Sequence, residues 1–144
     1  MAFGNSLKEL GLQVLRLGLG GIFIYAGTIK ALDPAQFAID IFNYRLGPYF
    51  LAVLTALYLP WLEIFCGFAV VSRKLSQGGL WALMILTIIF ILAIISAWLR
   101  GLDIHCGCFG HERSHVNYPW LVLRDLGILC GLWLLSRQLK LPRG

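Results

Sequence analysis

From Gly79 to Leu99 the chain runs without a single charged side chain. A helix needs about 20 predominantly apolar residues to cross the hydrocarbon core of a bilayer, so this stretch alone decides the solvent in which the chain folds. Three more apolar runs of similar kind accompany it: Leu10 to Ile29, Phe50 to Val71 and Trp120 to Ser136, the last being the shortest. All four are continuous apolar runs, not the short alternating segments of a transmembrane barrel, so helix is the state that satisfies the backbone in lipid. The expected fold class is therefore all-α: a polytopic membrane protein, a compact bundle of four transmembrane helices. Four spans and short loops use up nearly all 144 residues, which leaves one membrane domain, 1–144, and no separate soluble one.

Composition agrees. The chain is 59% hydrophobic and 13% charged, with a mean hydropathy of +0.80, whereas a soluble domain is about 45–50% apolar and about 25% charged. Its net charge of +5 does not point to nucleic acid, because the basic residues are spread along the chain without a dense patch. Basic flanks on one side of a membrane account for the same charge. The first apolar stretch, Leu10 to Ala31, is longer than the core of a secretory signal, and no A-x-A site follows it, so it reads as a retained span. No internal repeat or linker interrupts the chain.

Four spans put both termini on one side. Lys8, Arg73, Lys74, Arg137, Lys140 and Arg143 fall on that side; Lys30, Arg45, Arg100 and Arg113 fall on the other. The basic excess, strongest at the short loop Ser72 to Gly78, places both termini in the cytoplasm. The loops 30–49 and 100–119 then face outward. Tyr49, Phe50, Trp98, Tyr118 and Trp120 stand near those outer edges, where amphipathic rings favour the headgroup region, although plain packing would explain each one equally.

Four ionisable residues lie within the spans: Arg16, Glu63, Arg124 and Asp125. A charge at mid-bilayer costs about 2.5–3.5 kcal/mol on insertion scales, so each calls for a partner or a watery cavity. Counted from the span ends, Arg16 and Glu63 fall at similar depth, and they are expected to pair across spans one and two. Pro60, three residues before Glu63, is placed to kink span two there. A purely structural pair that fixes helix register and a proton- or quinone-handling role both fit. Arg124 and Asp125 lie about one turn inside the outer edge of span four, and Lys30 lies at the outer edge of span one, so all three are expected beneath the second outer loop. Gly18, Gly20, Gly21 and Gly27 in span one, and the Gly127-x-x-x-Gly131 pattern in span four, offer surfaces for close helix approach.

The segment with the most chemistry is Gly101-Leu-Asp-Ile-His-Cys-Gly-Cys-Phe-Gly110, in the second outward loop. Cys106 and Cys108 can close a small ring, with Gly107 supplying backbone freedom. Exposed, strained disulfides are labile or catalytic more often than structural. Arg100 and a protonated His105 favour the reactive thiolate, and Asp103 opposes it. On an extracytoplasmic face such a disulfide persists. Cys66 and Cys130 lie within spans and read as small apolar residues. A metal reading competes, since His105, Cys106, Cys108, His111 and His115 are ligands of the kind zinc or copper takes, but their spacing matches no standard zinc pattern.

The stretch Arg16…Gly21-Ile-Phe-Ile-Tyr-Ala-Gly-Thr-Ile-Lys30-Ala-Leu-Asp-Pro34 resembles the first helix of DoxX-like membrane proteins. Leu59-Pro-Trp-Leu-Glu63 and Asp103-Ile-His-Cys-Gly-Cys-Phe-Gly110, followed by Arg124-Asp125, most resemble the MauE branch, associated with methylamine utilisation and redox maturation. The likeness extends from about Leu10 to Ser136. It implies a four-helix inner-membrane protein of a bacterial cell that forms or maintains disulfides in exported proteins, often beside a thioredoxin-like partner. Cys106 and Cys108 carry over as redox residues. Arg16, Lys30, Glu63, Arg124 and Asp125 match motif positions without an assigned role, and the three histidines are not part of the pattern.

The function expected is a membrane thiol–disulfide oxidoreductase, or a redox-maturation factor, in which Cys106 and Cys108 exchange with an extracytoplasmic partner through a mixed disulfide. No cofactor is certain. A quinone is the acceptor in question, with Lys30 and Arg124, beside Asp125, as candidates to bind it. The alternatives are a non-catalytic scaffold subunit of a redox or maturation complex, and a zinc- or copper-binding membrane protein.

Overall fold

The computed structural model describes residues 2–72, 75–102 and 117–140. It holds five helices: α1 (Ala2–Leu32), α2 (Pro34–Asn43), α3 (Tyr49–Val71), α4 (Ser76–Leu99) and α5 (Tyr118–Lys140). No strand occurs among the described residues. Four of the helices, α1, α3, α4 and α5, are long and apolar enough to cross a membrane, so the protein is a multi-pass, all-helical membrane protein. Each of these helices begins before its expected span, most of all α1, which starts eight residues before Leu10; α3 and α4 end where expected, at Val71 and Leu99, while α1 and α5 run on to Leu32 and Lys140.

The four long helices close a ring in which α1 packs on α3, α3 on α4, α4 on α5 and α5 back on α1. Glycines set the tightest of these contacts. A Cβ added to Gly20 would lie 3.0 Å from the Gly67 carbonyl oxygen, and one added to Gly67 would lie 2.9 Å from that of Gly20. One turn or two further on, a Cβ on Gly27 would lie 2.7 Å from the Pro60 carbonyl oxygen and 3.2 Å from Glu63 Cβ. Small residues let membrane helices approach to backbone contact, and here they fix the register of α1 against α3. Gly18, Gly21 and Gly127 face open space, and Gly131 meets only Leu15 and Leu19 side chains of α1. The Gly127–Gly131 pattern is therefore not a close backbone contact within the chain.

The main core joins all four long helices, through Leu19 and Phe23 of α1, Val70 of α3, Leu80 and Leu83 of α4, and Leu132 and Leu135 of α5. Outside it, large apolar side chains such as Val14, Tyr58, Phe65, Leu92 and Leu123 are exposed, as expected of a surface bathed in lipid.

The segment expected to be the first outer loop contains a helix, α2. Asp33 caps it, its side chain accepting from the Gln36 amide at 3.0 Å, and Pro34 occupies the first turn, where a missing N–H costs nothing. Phe37 and Ala38 bury against Ala56 of α3. The helix ends through Tyr44 and Arg45, the latter at φ 50°, with the Arg45 amide donating to the Phe42 carbonyl at 2.9 Å. α2 thus lies across α3 and touches α1 at the end of the bundle where α4 also finishes.

Candidate functional site

Three features gather at that end. The first is an ionic cluster. Lys30 Nζ donates to both carboxylate oxygens of Glu63, at 2.7 and 2.9 Å, and both side chains are about 1% exposed. The Lys30 ammonium also lies 5.3 Å from the Phe37 ring centre and 4.7 Å from that of Phe90, within cation–π range. Arg124 bonds Asp125 through Nε and Nη2, each at 2.9 Å. All four ionic side chains border one space of about 30 Å³ between α1, α3, α4 and α5. Two basic and two acidic side chains meet there, each paired with a partner of opposite sign, which offsets the cost of burying them in a low-dielectric interior.

The second feature is the base of the Cys-Gly-Cys loop. α4 ends in a left-handed Gly101 (φ 62°), with the Gly101 amide donating to Trp98 at 3.0 Å and the Leu102 amide to Ala97 at 3.1 Å. This pair of bonds is the Schellman closure, and glycine is the residue that takes that φ without cost. α5 then returns to the same place: the Tyr118 hydroxyl donates to the Leu102 carbonyl, and the Tyr118 ring stacks on Trp98 with centres 6.2 Å apart. Arg100 reaches from the end of α4 to the end of α2, donating to the carbonyls of Tyr44 and Arg45.

The third is a cavity of about 370 Å³ between α2, the turn after it, α3 and α4. Its wall is apolar and aromatic, with Phe37, Phe42, Tyr44 and Phe90 on it. Asp40 also borders it, buried to 6% exposure and accepting from Gln36 Nε2 at 3.1 Å.

A family model described as methylamine utilisation protein MauE matches residues 8–137. The chain belongs to the MauE family. No curated protein and no solved structure gives a significant match to it. The part of the chain matched to MauE includes the ionic cluster, both ends of the loop and the cavity.

Against this MauE-family structure the expected sites divide. Lys30, Glu63, Arg124 and Asp125 are brought together. Arg16 is not with them, and the expected Arg16–Glu63 pair does not form: Lys30 is the partner of Glu63. The cause is register. Gly27 stands level with Glu63, which places Arg16, eleven residues earlier, about 16 Å away along the axis. Counting depth from the apparent span ends put α1 out of register with α3. The space at Lys30 and Arg124 is about 30 Å³, small beside the cavity of about 370 Å³ under α2. Cys66 is half-buried and Cys130 exposed, and both are free thiols. Asp103, His105, Cys106, Cys108, His111 and His115 lie outside the described residues. Among the described residues no group of three or more metal-ligating side chains occurs.

Sequence reasoning missed α2, Asp40 and the cavity. The helix had a signal: an Asp-Pro start followed by apolar residues at 37, 38, 41 and 42, the spacing of one helical face. The cavity had none, because it is a gap left by packing.

Proposed function

We propose that this MauE-family protein is a thiol–disulfide oxidoreductase, or redox-maturation factor, of the bacterial inner membrane. Both termini lie in the cytoplasm, and the Cys106-Gly107-Cys108 loop faces outward to a thioredoxin-like or substrate protein. The thiolate of one cysteine attacks a disulfide of the partner, a mixed disulfide forms, and the second cysteine resolves it. The reverse sequence of steps reduces the loop's own disulfide.

One observation carries the reading. Cys106 and Cys108 follow Leu102 by four and six residues, and Leu102 is tied to Tyr118 where α4 and α5 meet. The points at which the described chain enters and leaves the loop are thereby held together at one end of the bundle. The Lys/Arg bias supports the outward placement, and the resemblance of the Cys-Gly-Cys segment to the MauE branch supports a redox role.

Exchange with an oxidised thioredoxin-like domain tests it. Cys106→Ala and Cys108→Ala should each abolish turnover while leaving helical content and elution volume unchanged. Wild-type exchange rates in both variants would sink the proposal and favour a scaffold subunit.

A further inference from the structure

At the end of the bundle where α3 stops and α4 begins, α1 runs on past its neighbours. α3 ends at Val71, level with Gly20, where an added Cβ would meet the Val71 side chain. Leu12 and Leu15 still pack against the core, but every residue from Phe3 to Gly11 is exposed. This projecting part is not apolar all round, as a helix bathed in lipid is. Asn5, Ser6, Lys8 and Glu9 interrupt it. Its large apolar side chains fall at Phe3, Leu7 and Leu10, and Val14 and Leu17 continue the row. The steps alternate between four and three residues, the spacing of the a and d positions of a coiled coil. All five are between 56 and 87% exposed.

At about 3.6 residues per turn, this seam lies on the side of α1 opposite Phe23, Ala26 and Gly27, which face the bundle. Gly21 carries the seam into the span, and a Cβ added there would meet nothing within 4 Å, so a neighbouring helix can come close. A short helix standing alone in water is marginal, and an apolar seam of this spacing is what a second helix covers. α1 is one unbroken helix without proline from Ala2 to Leu32, so the seam does not lie flat on a membrane surface as an interfacial helix does. Two copies in one membrane stand parallel, and each seam residue then meets its own counterpart. Like charges at the flanking e and g positions oppose such pairing of identical helices. Here those positions are Gly4, Ser6, Gly11 and Gln13, all uncharged, while Lys8 and Glu9 stand away from the seam.

We infer that this seam docks a second copy of the chain, α1 against α1, as a parallel two-helix coiled coil running from Phe3 to Gly21. Each bundle then lies on the far side of its own α1, and the two do not collide.

Disulfide cross-linking tests the dimer. Purified full-length protein, with Cys66, Cys106, Cys108 and Cys130 replaced by alanine, receives one new cysteine at a time and is oxidised in vesicles at low protein-to-lipid ratio. Leu7→Cys, Leu10→Cys and Val14→Cys should give the cross-linked dimer at least about tenfold faster than Asn5→Cys and Lys8→Cys, which point away from the seam. Equal rates at all five positions, or no dimer at the seam positions, overturns the inference. Light scattering in detergent supplies a second reading on protein with its native cysteines. The wild type should have the mass of a dimer, and Leu7→Glu/Leu10→Glu that of a monomer with its helical content retained, since neither side chain touches the bundle. A monomeric wild type, or a dimer that survives the double substitution, overturns the α1 seam as the interface.

Discussion

The Lys30 ammonium lies 2.7 Å from the Glu63 carboxylate, joining α1 to α3 at a point where neither side chain reaches solvent. Arg124 and Asp125 of α5 border the same small space. A buried pair of this kind is costly to break from one side only, because the remaining charge is stranded. Lys30→Met or Glu63→Gln should each cost about 3–5 kcal/mol of stability, read as a large drop in thermal midpoint in detergent. The double variant Lys30→Met/Glu63→Leu should recover most of that loss, since it leaves no stranded charge in this pair. Additive losses in the double variant would show that the two residues do not act as a pair.

Glycine positions along α1 should separate sharply. A Cβ on Gly27 meets the Pro60 backbone at 2.7 Å, while one on Gly18 meets nothing within 4 Å. Gly27→Ala should therefore push α1 off α3 and destabilise by about 1–3 kcal/mol, the usual cost of overpacking. Gly18→Ala should be neutral or slightly stabilising through helix propensity. Thermal unfolding of the two variants side by side checks this, and equal effects would contradict the helix register described.

How much of this was legible in the sequence follows from which forces act over short stretches. The four spans were legible because each is a long, predominantly apolar run, unbroken by charge at Gly79–Leu99. That Glu63, Arg124 and Asp125 call for partners was legible because charge within an apolar run is costly. Which charge pairs with which was not. That depends on where α1 sits against α3, and Gly20, Gly27 and Gly67 decide it by contact, not by composition. Lys30 seemed an interfacial residue, yet it is 3% exposed, because α2 folds over it and brings the Phe37 ring to its ammonium.

Arg100 should act as a strap between the ends of α4 and α2. Its guanidinium donates to the carbonyls of Tyr44 and Arg45, just past the end of α2. Arg100→Gln should raise amide hydrogen exchange across residues 44–47 by about threefold or more, a local opening that leaves the core untouched. Unchanged exchange there would mean that α2 is held by its Phe37 and Ala38 contacts alone.

The loop base makes a prediction of its own for the proposed chemistry. Tyr118→Phe keeps the stack on Trp98 and removes the hydroxyl that reaches Leu102; Trp98→Ala removes the stack. Both should slow exchange at the Cys106–Cys108 pair, Trp98→Ala more, without changing which cysteine forms the mixed disulfide. Exchange rates measured with one thioredoxin-like domain give the comparison, and wild-type rates in both variants would mean that the closed base contributes nothing.

The central claim is that Cys106 and Cys108 form a reversible disulfide on the outward face. Variants keeping only these two of the four cysteines should be treated, in sealed spheroplasts, with a membrane-impermeant thiol reagent of high mass, before and after mild reduction. The account predicts no shift before reduction and a two-reagent shift after it. Labelling that appears only once the membrane is breached would place the loop in the cytoplasm and contradict the account.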